Sequence, residues 1–410
     1  MGRRSRIERG GVEPSPHARA LNPAPCVLQV LPRLGIGGVE RGTTEIAEAI
    51  VAAGGRALVA AEPGPLAARV ERAGGEVVAM NAASKNPFDL WQNAGALARL
   101  IREEGVDVVH ARSRAPAWSA WLASRRTGVP FVTTYHGAYR ENVPLKRRYN
   151  AVMAYGRPTI AISEHIRDLV LAHHGLDPSD VVTIPRGADM DVFATEAVGA
   201  ERTERLARAW GVLDDARPIV MLPGRLTRWK GADVLLKATY LLTRGRCGVD
   251  FSVVLVGGDT SSGFSRRLAR RIEEGNFGHV IRLVGEVQDM PAAYKLASVV
   301  VSPSLEPEAV GRVAVEAQAM GRLVIAADHG GARETVVHGE TGFLVAPGDA
   351  AALAEAIDRA LSLDAAAAAR MAGAARARVR ARYSIEAMQR ATLAIYERVT
   401  GRRFGAGHGP

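Results

Sequence analysis

Cysteine is nearly missing from this chain of 410 residues: Cys26 and Cys247 stand alone and far apart. That excludes a disulfide framework and a cysteine-built zinc site. Also missing is any run approaching the ~18 uninterrupted apolar residues that a membrane-spanning helix requires. The sequence shows no internal repeat at solenoid period, no glycine-lysine-hydroxyl order of a Walker loop, and no recognised nucleic-acid motif. Nucleic acid is therefore not an expected partner. The chain is expected to be cytoplasmic, at most peripheral on the inner face of a membrane.

What is present fits an α/β protein. Strand-like apolar runs alternate with Ala-rich, helix-compatible stretches, and 410 residues exceed what one core usually serves, so two domains are expected. Lys and Arg number 53 against 43 for Asp and Glu, a net charge of +10. This balance favours polyanions or an anionic membrane face and says nothing about fold. Residues 1–24 are polar and carry Arg3, Arg4, Arg6 and Arg9 among prolines. A secretory or twin-arginine signal would continue into an apolar segment, but Pro32 and Arg33 break the run that follows, so a disordered basic tail is expected. The ordered chain is expected as a first domain at 25–195, a second at 196–383 and a last helix at 384–400, with a disordered tail at 401–410.

The first domain opens with a strand at Val27–Leu31 that runs into Gly35-Ile36-Gly37-Gly38 and then a helix. A glycine loop between strand and helix lets backbone approach a phosphate closely. A dinucleotide fingerprint would place glycine where Glu40 stands, which argues against a dehydrogenase. His110 and His136 both end strand-like runs, the edge at which parallel sheets bind ligands. Arg140, Lys146, Arg147 and Arg148 are interleaved with Tyr139, Tyr149 and Tyr155. Bases mixed with amphipathic rings suit an anionic acceptor or a membrane headgroup region, and equally a solvated face. Asp189 and Asp191 have the spacing that can hold a divalent cation against a diphosphate, but they also suit a turn.

In the second half, the strand Ile219–Leu222 leads to Arg225 and to Lys230-Gly231, followed by a helix at 232–243. Further on, the run Val299–Val301 leads through Glu308 and Gly311 into a helix at 313–320 that carries Glu316. Amides near Gly311 and Val313 could hold phosphate oxygens, while carboxylates accept from sugar hydroxyls. A nucleotide sugar has both parts.

Glu308, seven residues, Glu316, then Met320-Gly321, Val324-Ile325 and Gly330-Gly331-Ala332-Arg333-Glu334 together resemble the signature of the retaining glycosyltransferases of family 4. The likeness covers roughly residues 26–400, with Val310 standing where that family usually has phenylalanine. It implies a GT-B fold, two doubly wound Rossmann-like domains facing a central cleft, and a last helix that crosses back to the first domain. It further implies that Gly37 and Gly38 contact the donor, that Arg225 and Lys230 clamp its diphosphate, and that His136 with Gly137 helps hold the transferred sugar. The segment around Asp189 resembles the stretch that closes the first domain, with Asp189 as a turn residue. In such a family no metal cofactor is required, because the leaving phosphate takes the acceptor proton.

The expected function is therefore transfer of a sugar from a UDP- or GDP-sugar to a glycan or glycolipid acceptor, as in lipopolysaccharide or cell-surface polysaccharide synthesis. His136 and Glu308 are the expected catalytic residues. Gly37, Gly38, Arg225, Lys230, Gly311, Val313 and Glu316 would bind the donor, and Arg140, Lys146, Arg147 and Arg148 the acceptor or membrane. An epimerase or hydrolase of sugar nucleotides would use the same fold without an acceptor. A non-enzymatic polyanion binder would use the 140–157 bases, with binding that collapses in salt.

Overall fold

The structure is a computed structural model that describes residues 24–139, 143–245, 248–258 and 261–405. Residues 1–23 of the tail expected at 1–24, together with Arg140 and Cys247, lie outside the described residues.

The chain alternates strand and helix almost throughout. It runs β1 (Cys26–Arg33), α1 (Gly38–Ala52), β2 (Arg56–Glu62), α2 (Ala67–Arg72), β3 (Glu76–Ala79), α3 (Pro87–Glu104), β4 (Val108–Ala111) and α4 (Arg114–Thr127). Next come β5 (Phe131–Tyr135), α5 (Pro144–Asn150), β6 (Thr159–Ala161), α6 (Glu164–His174), β7 (Val181–Thr183) and α7 (Ala200–Ala209). The second sheet begins with β8 (Ile219–Pro223), α8 (Ala232–Thr243), β9 (Ser252–Val256), α9 (Gly263–Glu274), β10 (Ile281–Gly285) and α10 (Met290–Leu296). It closes with β11 (Val299–Ser302), α11 (Arg312–Ala319), β12 (Leu323–Ala327), α12 (Ala332–Thr335) and β13 (Phe343–Val345), before α13 (Ala350–Leu361), α14 (Ala365–Arg382) and α15 (Ile385–Thr400). Among the described residues there are two sheets, of seven and six strands, in keeping with the α/β expectation.

Among the described residues the contacts divide the chain into two compact units: residues 24–110, 118–130 and 393–405 in the first, and 111–117 with 131–392 in the second. Within the first unit the strands lie in the order β3-β2-β1-β4. Val27, Leu28, Val30, Leu58 and Val59 are completely buried there, so β2 reads as an apolar run and β1 as one interrupted by Gln29, which is also buried and donates from Nε2 to the Thr43 carbonyl at 3.0 Å. His110, at the end of β4, is a core residue whose Nδ1 lies 2.6 Å from the Tyr396 hydroxyl of α15. Cys26 is a free buried thiol, pushed up to about 12 chiefly by burial, and therefore an unreactive one. Where a disordered end is expected from 401, residues 401–405 are tied down instead. Phe404 N–H donates to Glu397 at 3.0 Å and Gly405 N–H to the Ala53 carbonyl at 3.0 Å. Backbone groups with partners on both sides are what order a terminus; residues 406–410 lie outside the described residues.

The second unit holds β5-β6-β7 in sequence order and the six-stranded sheet in the order β10-β9-β8-β11-β12-β13, with every recorded pair parallel. Its strands alternate between two cores. Val220, Leu222, Val253, Leu255, Val299 and Val301 belong to one, Met221, Val254, Val256 and Val300 to the other. Both faces being covered by helices is why these strands carry no polar alternation. Sequence order reverses where β8 lies beside β11, Val299 opposite Val220 and Val300 opposite Met221. Ligands of open parallel sheets bind outside the carboxyl ends of the strands at such a point.

Candidate functional site

Two loops leave the carboxyl ends of β8 and β11 and interlock. The β8 loop turns into α8 at Gly231, whose φ of 80° is left-handed and whose Cβ, had it one, would lie 1.9 Å from the Pro303 carbonyl oxygen. Glycine is therefore obligatory there on both counts. Leu305 N–H donates to the Trp229 carbonyl at 2.6 Å, fixing one loop to the other.

This register delivers Lys230 to Glu308. Lys230 Nζ donates to Glu308 Oε2 at 2.8 Å, and the two side chains are only 13% and 17% exposed. The other carboxylate oxygen accepts from Ser304 Oγ and, at 3.4 Å, from Ser302 Oγ. Lys230 Nζ also sits 4.6 Å from the Trp229 ring centre. A Cβ on Gly224 would lie 3.8 Å from the Lys230 stem, so the lysine passes beside the start of the loop that carries Arg225. Arg225 itself is exposed, with no hydrogen bond or ion pair on its side chain among the described residues.

Helix α11 starts at Gly311, buried and left-handed with φ 67° and ψ 49°. Its first amides, including Val313, have no intrahelical acceptor, and no acid occupies the first turn. One turn on, Glu316 is held from two sides. Tyr294 OH donates to Oε2 at 2.9 Å and Arg312 Nη2 to Oε1 at 2.6 Å. The Gly330-Gly331 turn closes on the same loop, since Gly331 N–H donates to the Glu308 carbonyl at 2.8 Å and a Cβ on Gly330 would lie 2.6 Å from that oxygen. His136 follows β5 and is half-buried; a Cβ on Gly137 would lie 4.0 Å from that of Ala309, so this corner comes up to the Glu308–Gly311 turn.

Of the residues singled out in the sequence, Lys230, Glu308, Gly311, Val313, Glu316 and the His136 corner are brought together in the second unit. Gly37 and Gly38 are exposed at the start of α1 in the first unit. Lys146, Arg147 and Arg148 line exposed α5, where Arg147 donates to the His173 carbonyl and Leu145 is 77% exposed. Asp189 is a turn residue: its Oδ1 accepts from the amides of Asp191 and Val192, both at 3.0 Å. Sequence reasoning missed Tyr294, Ser304 and Arg312, which lack any motif of their own. It also gave Glu334 no role, although its carboxylate accepts from the Glu164 and His165 amides at 2.8 and 2.7 Å and so caps α6.

Two family models match the chain: Glycosyl transferases group 1 over residues 205–378 and Glycosyltransferase Family 4 over residues 36–192. The D-inositol 3-phosphate glycosyltransferase of Mycobacterium tuberculosis is 31% identical over 334 residues, 75% of this chain and 65% of that protein. The match thus spans just under two thirds of the curated relative's length. A solved glycosyltransferase from Rickettsia africae is 36% identical with a TM-score of 0.83, covering 92% of this chain and 98% of its own. Anabaena HepE, solved with UDP and glucose, is 23% identical with a TM-score of 0.72 over 90% of this chain and 98% of its own, a likeness of fold alone. With separate models matching its two halves and a solved relative aligned over nearly its whole length, the chain belongs to the family 4 glycosyltransferases of GT-B fold.

Proposed function

We propose that this protein is a retaining glycosyltransferase that takes a UDP- or GDP-sugar as donor and a glycan or glycolipid hydroxyl as acceptor. The observation that carries the proposal is the Lys230–Glu308 pair at the β8/β11 switch point, beside the open N-terminus of α11. Breaking a sugar–phosphate bond leaves growing negative charge on the nucleoside diphosphate. Lys230, Arg225 and the amides near Gly311 and Val313 supply fixed positive charge for it, worth about 3 kcal/mol per donor. Glu308 then accepts from donor-sugar hydroxyls, Glu316 from ribose hydroxyls, and His136 positions the sugar near its anomeric carbon.

The acceptor oxygen attacks from the face that the phosphate leaves. The new carbon–oxygen bond forms as the old one breaks, and the acceptor proton passes to the leaving phosphate oxygen. The protein's cations carry the charge in this scheme, so a chelator is expected to leave the rate unchanged. We assign residues 25–195 to the acceptor side and 196–383 to the donor side. The exposed bases Lys146, Arg147 and Arg148 with Leu145 suit an anionic acceptor or membrane face. The relative named for transfer to an inositol phosphate and the UDP-bound fold neighbour support a nucleotide-sugar reading. Synthesis of lipopolysaccharide or another surface polysaccharide is the setting we propose.

The test is turnover of a panel of UDP- and GDP-sugars with and without an acceptor extract, by wild type and Glu308→Ala. Transfer that needs the extract and vanishes on substitution is expected. Donor loss without acceptor would point to a hydrolase or epimerase, and salt-sensitive binding without turnover to a polyanion binder.

A further inference from the structure

Glu316 is expected to receive ribose hydroxyls, but a glutamate does not aim itself. Its terminal torsion is broad and roughly two-fold, so the carboxylate plane is set by whatever holds the oxygens. Two groups hold them here, and they differ in kind. Arg312 lies on the same helix four residues back with its side chain 51% exposed, while that of Glu316 is 12% exposed. An exposed ion pair of this spacing is weak and salt-screened, and it swings aside readily.

Tyr294 is the opposite case. It lies on α10, is 1% exposed, and packs edge-on against Phe193 with ring centres 6.0 Å apart. Burial, and then the neighbouring Glu316 carboxylate, hold its hydroxyl well above the ordinary range for tyrosine. The group is therefore a permanent donor, never a competing anion. Its bond to Oε2 is charge-assisted, the stronger class, and comes from a ring with no room to move.

We propose that Tyr294 is the positioning residue of the nucleotide subsite: its hydroxyl pins Oε2 of Glu316 and so turns the remaining lone pairs toward the ribose diol. The inference rests on the proposed nucleotide-sugar reading and adds to it the residue that sets recognition of ribose. Arg312 covers Oε1 from the solvent side and gives way to the ligand. A merely structural hydroxyl would affect stability alone; a positioning hydroxyl governs how the site tells a ribonucleotide from its 2′-deoxy counterpart.

The experiment measures dissociation constants of UDP, 2′-deoxy-UDP, GDP and 2′-deoxy-GDP for five proteins: wild type, Tyr294→Phe, Arg312→Ala, Glu316→Gln and the double variant Tyr294→Phe/Glu316→Gln. Wild type is expected to prefer the ribonucleotide by about ten-fold or more, the worth of a hydrogen bond to a charged group. Tyr294→Phe, which keeps the ring, should narrow that preference to about three-fold or less, and should change nothing further once Glu316 is Gln. Arg312→Ala should keep the full preference. A preference unchanged in Tyr294→Phe, or lost equally in Arg312→Ala, overturns the inference while leaving the nucleotide reading intact. No binding of either ribonucleotide by wild type overturns both. The Arg312 arm decides the question even where Tyr294→Phe folds poorly.

Discussion

The turn from β1 into α1 and the turn from the β11 loop into α11 both put glycine at a helix N-terminus, yet glycine serves a different purpose in each. Gly37 has φ −73° and ψ 177°, extended backbone that any residue adopts. What lies over it is the helix's own first-turn acid: a Cβ on Gly37 would be 2.5 Å from Glu40 Oε2. The α1 dipole is thus largely met from within its own chain. Gly311 is left-handed, its helix has no first-turn acid, and Arg312 follows instead. That dipole is met by no acid of its own first turn. A glycine loop therefore does not by itself make a phosphate site; the side chains of the first turn decide whether the amides are spoken for.

Several substitutions would break or sharpen this contrast. Lys230→Ala should have the largest effect: the rate of transfer falls about 100-fold, from loss of one charge-stabilising donor. Leaving the Glu308 carboxylate mostly buried and short of a partner should also cost about 3 kcal/mol of stability, read by denaturant unfolding. Glu308→Gln keeps the shape and should lower kcat by about 10², and it should also lower the unfolding midpoint because the mostly buried Lys230 ammonium loses its carboxylate; an unchanged kcat would remove the second turn from the chemistry. Gly311→Ala finds space, since the nearest atom to a new Cβ is 3.6 Å away. Its cost is the left-handed backbone, about 1–2 kcal/mol, visible as a lower midpoint at constant m.

At the first turn, smaller effects are expected. Glu40→Gln should lose about 0.3–1 kcal/mol of stability as the dipole partner weakens. Gly37→Ala should stay within about 0.5 kcal/mol, because only the end of a flexible side chain must move. If Gly37→Ala instead abolishes transfer while the fold stays stable, backbone at the first turn approaches a ligand as closely as at the second, and the contrast falls.

Much of this was legible before any coordinates. The helix expected at 232–243 is α8, and it has those limits. Ser163 caps α6 by accepting from Ile166 N–H at 3.1 Å, and Ser384 caps α15 by accepting from Ala387 N–H. Buried parallel strands show as apolar runs for the reason given by their two cores. The ordering of residues 401–405, by contrast, depends on partners at Ala53 and Glu397 that no local pattern encodes.

By itself the sequence determined the alternation of elements, the glycines that left-handed turns require, and the spacing of acids and bases that marks the family. These are short-range properties, set by backbone sterics and by hydrophobic period within a dozen residues. The tertiary structure alone decided which distant polar groups meet. Lys230 reaches Glu308 across 78 positions because β8 lies beside β11, Tyr294 reaches Glu316 because α10 and α11 contribute to one core, and Glu334 finds the amides of α6 some 170 positions away. Strand order and helix packing are properties of the whole buried core, so charge pairing, and with it the chemistry of the site, becomes readable only once that core has formed.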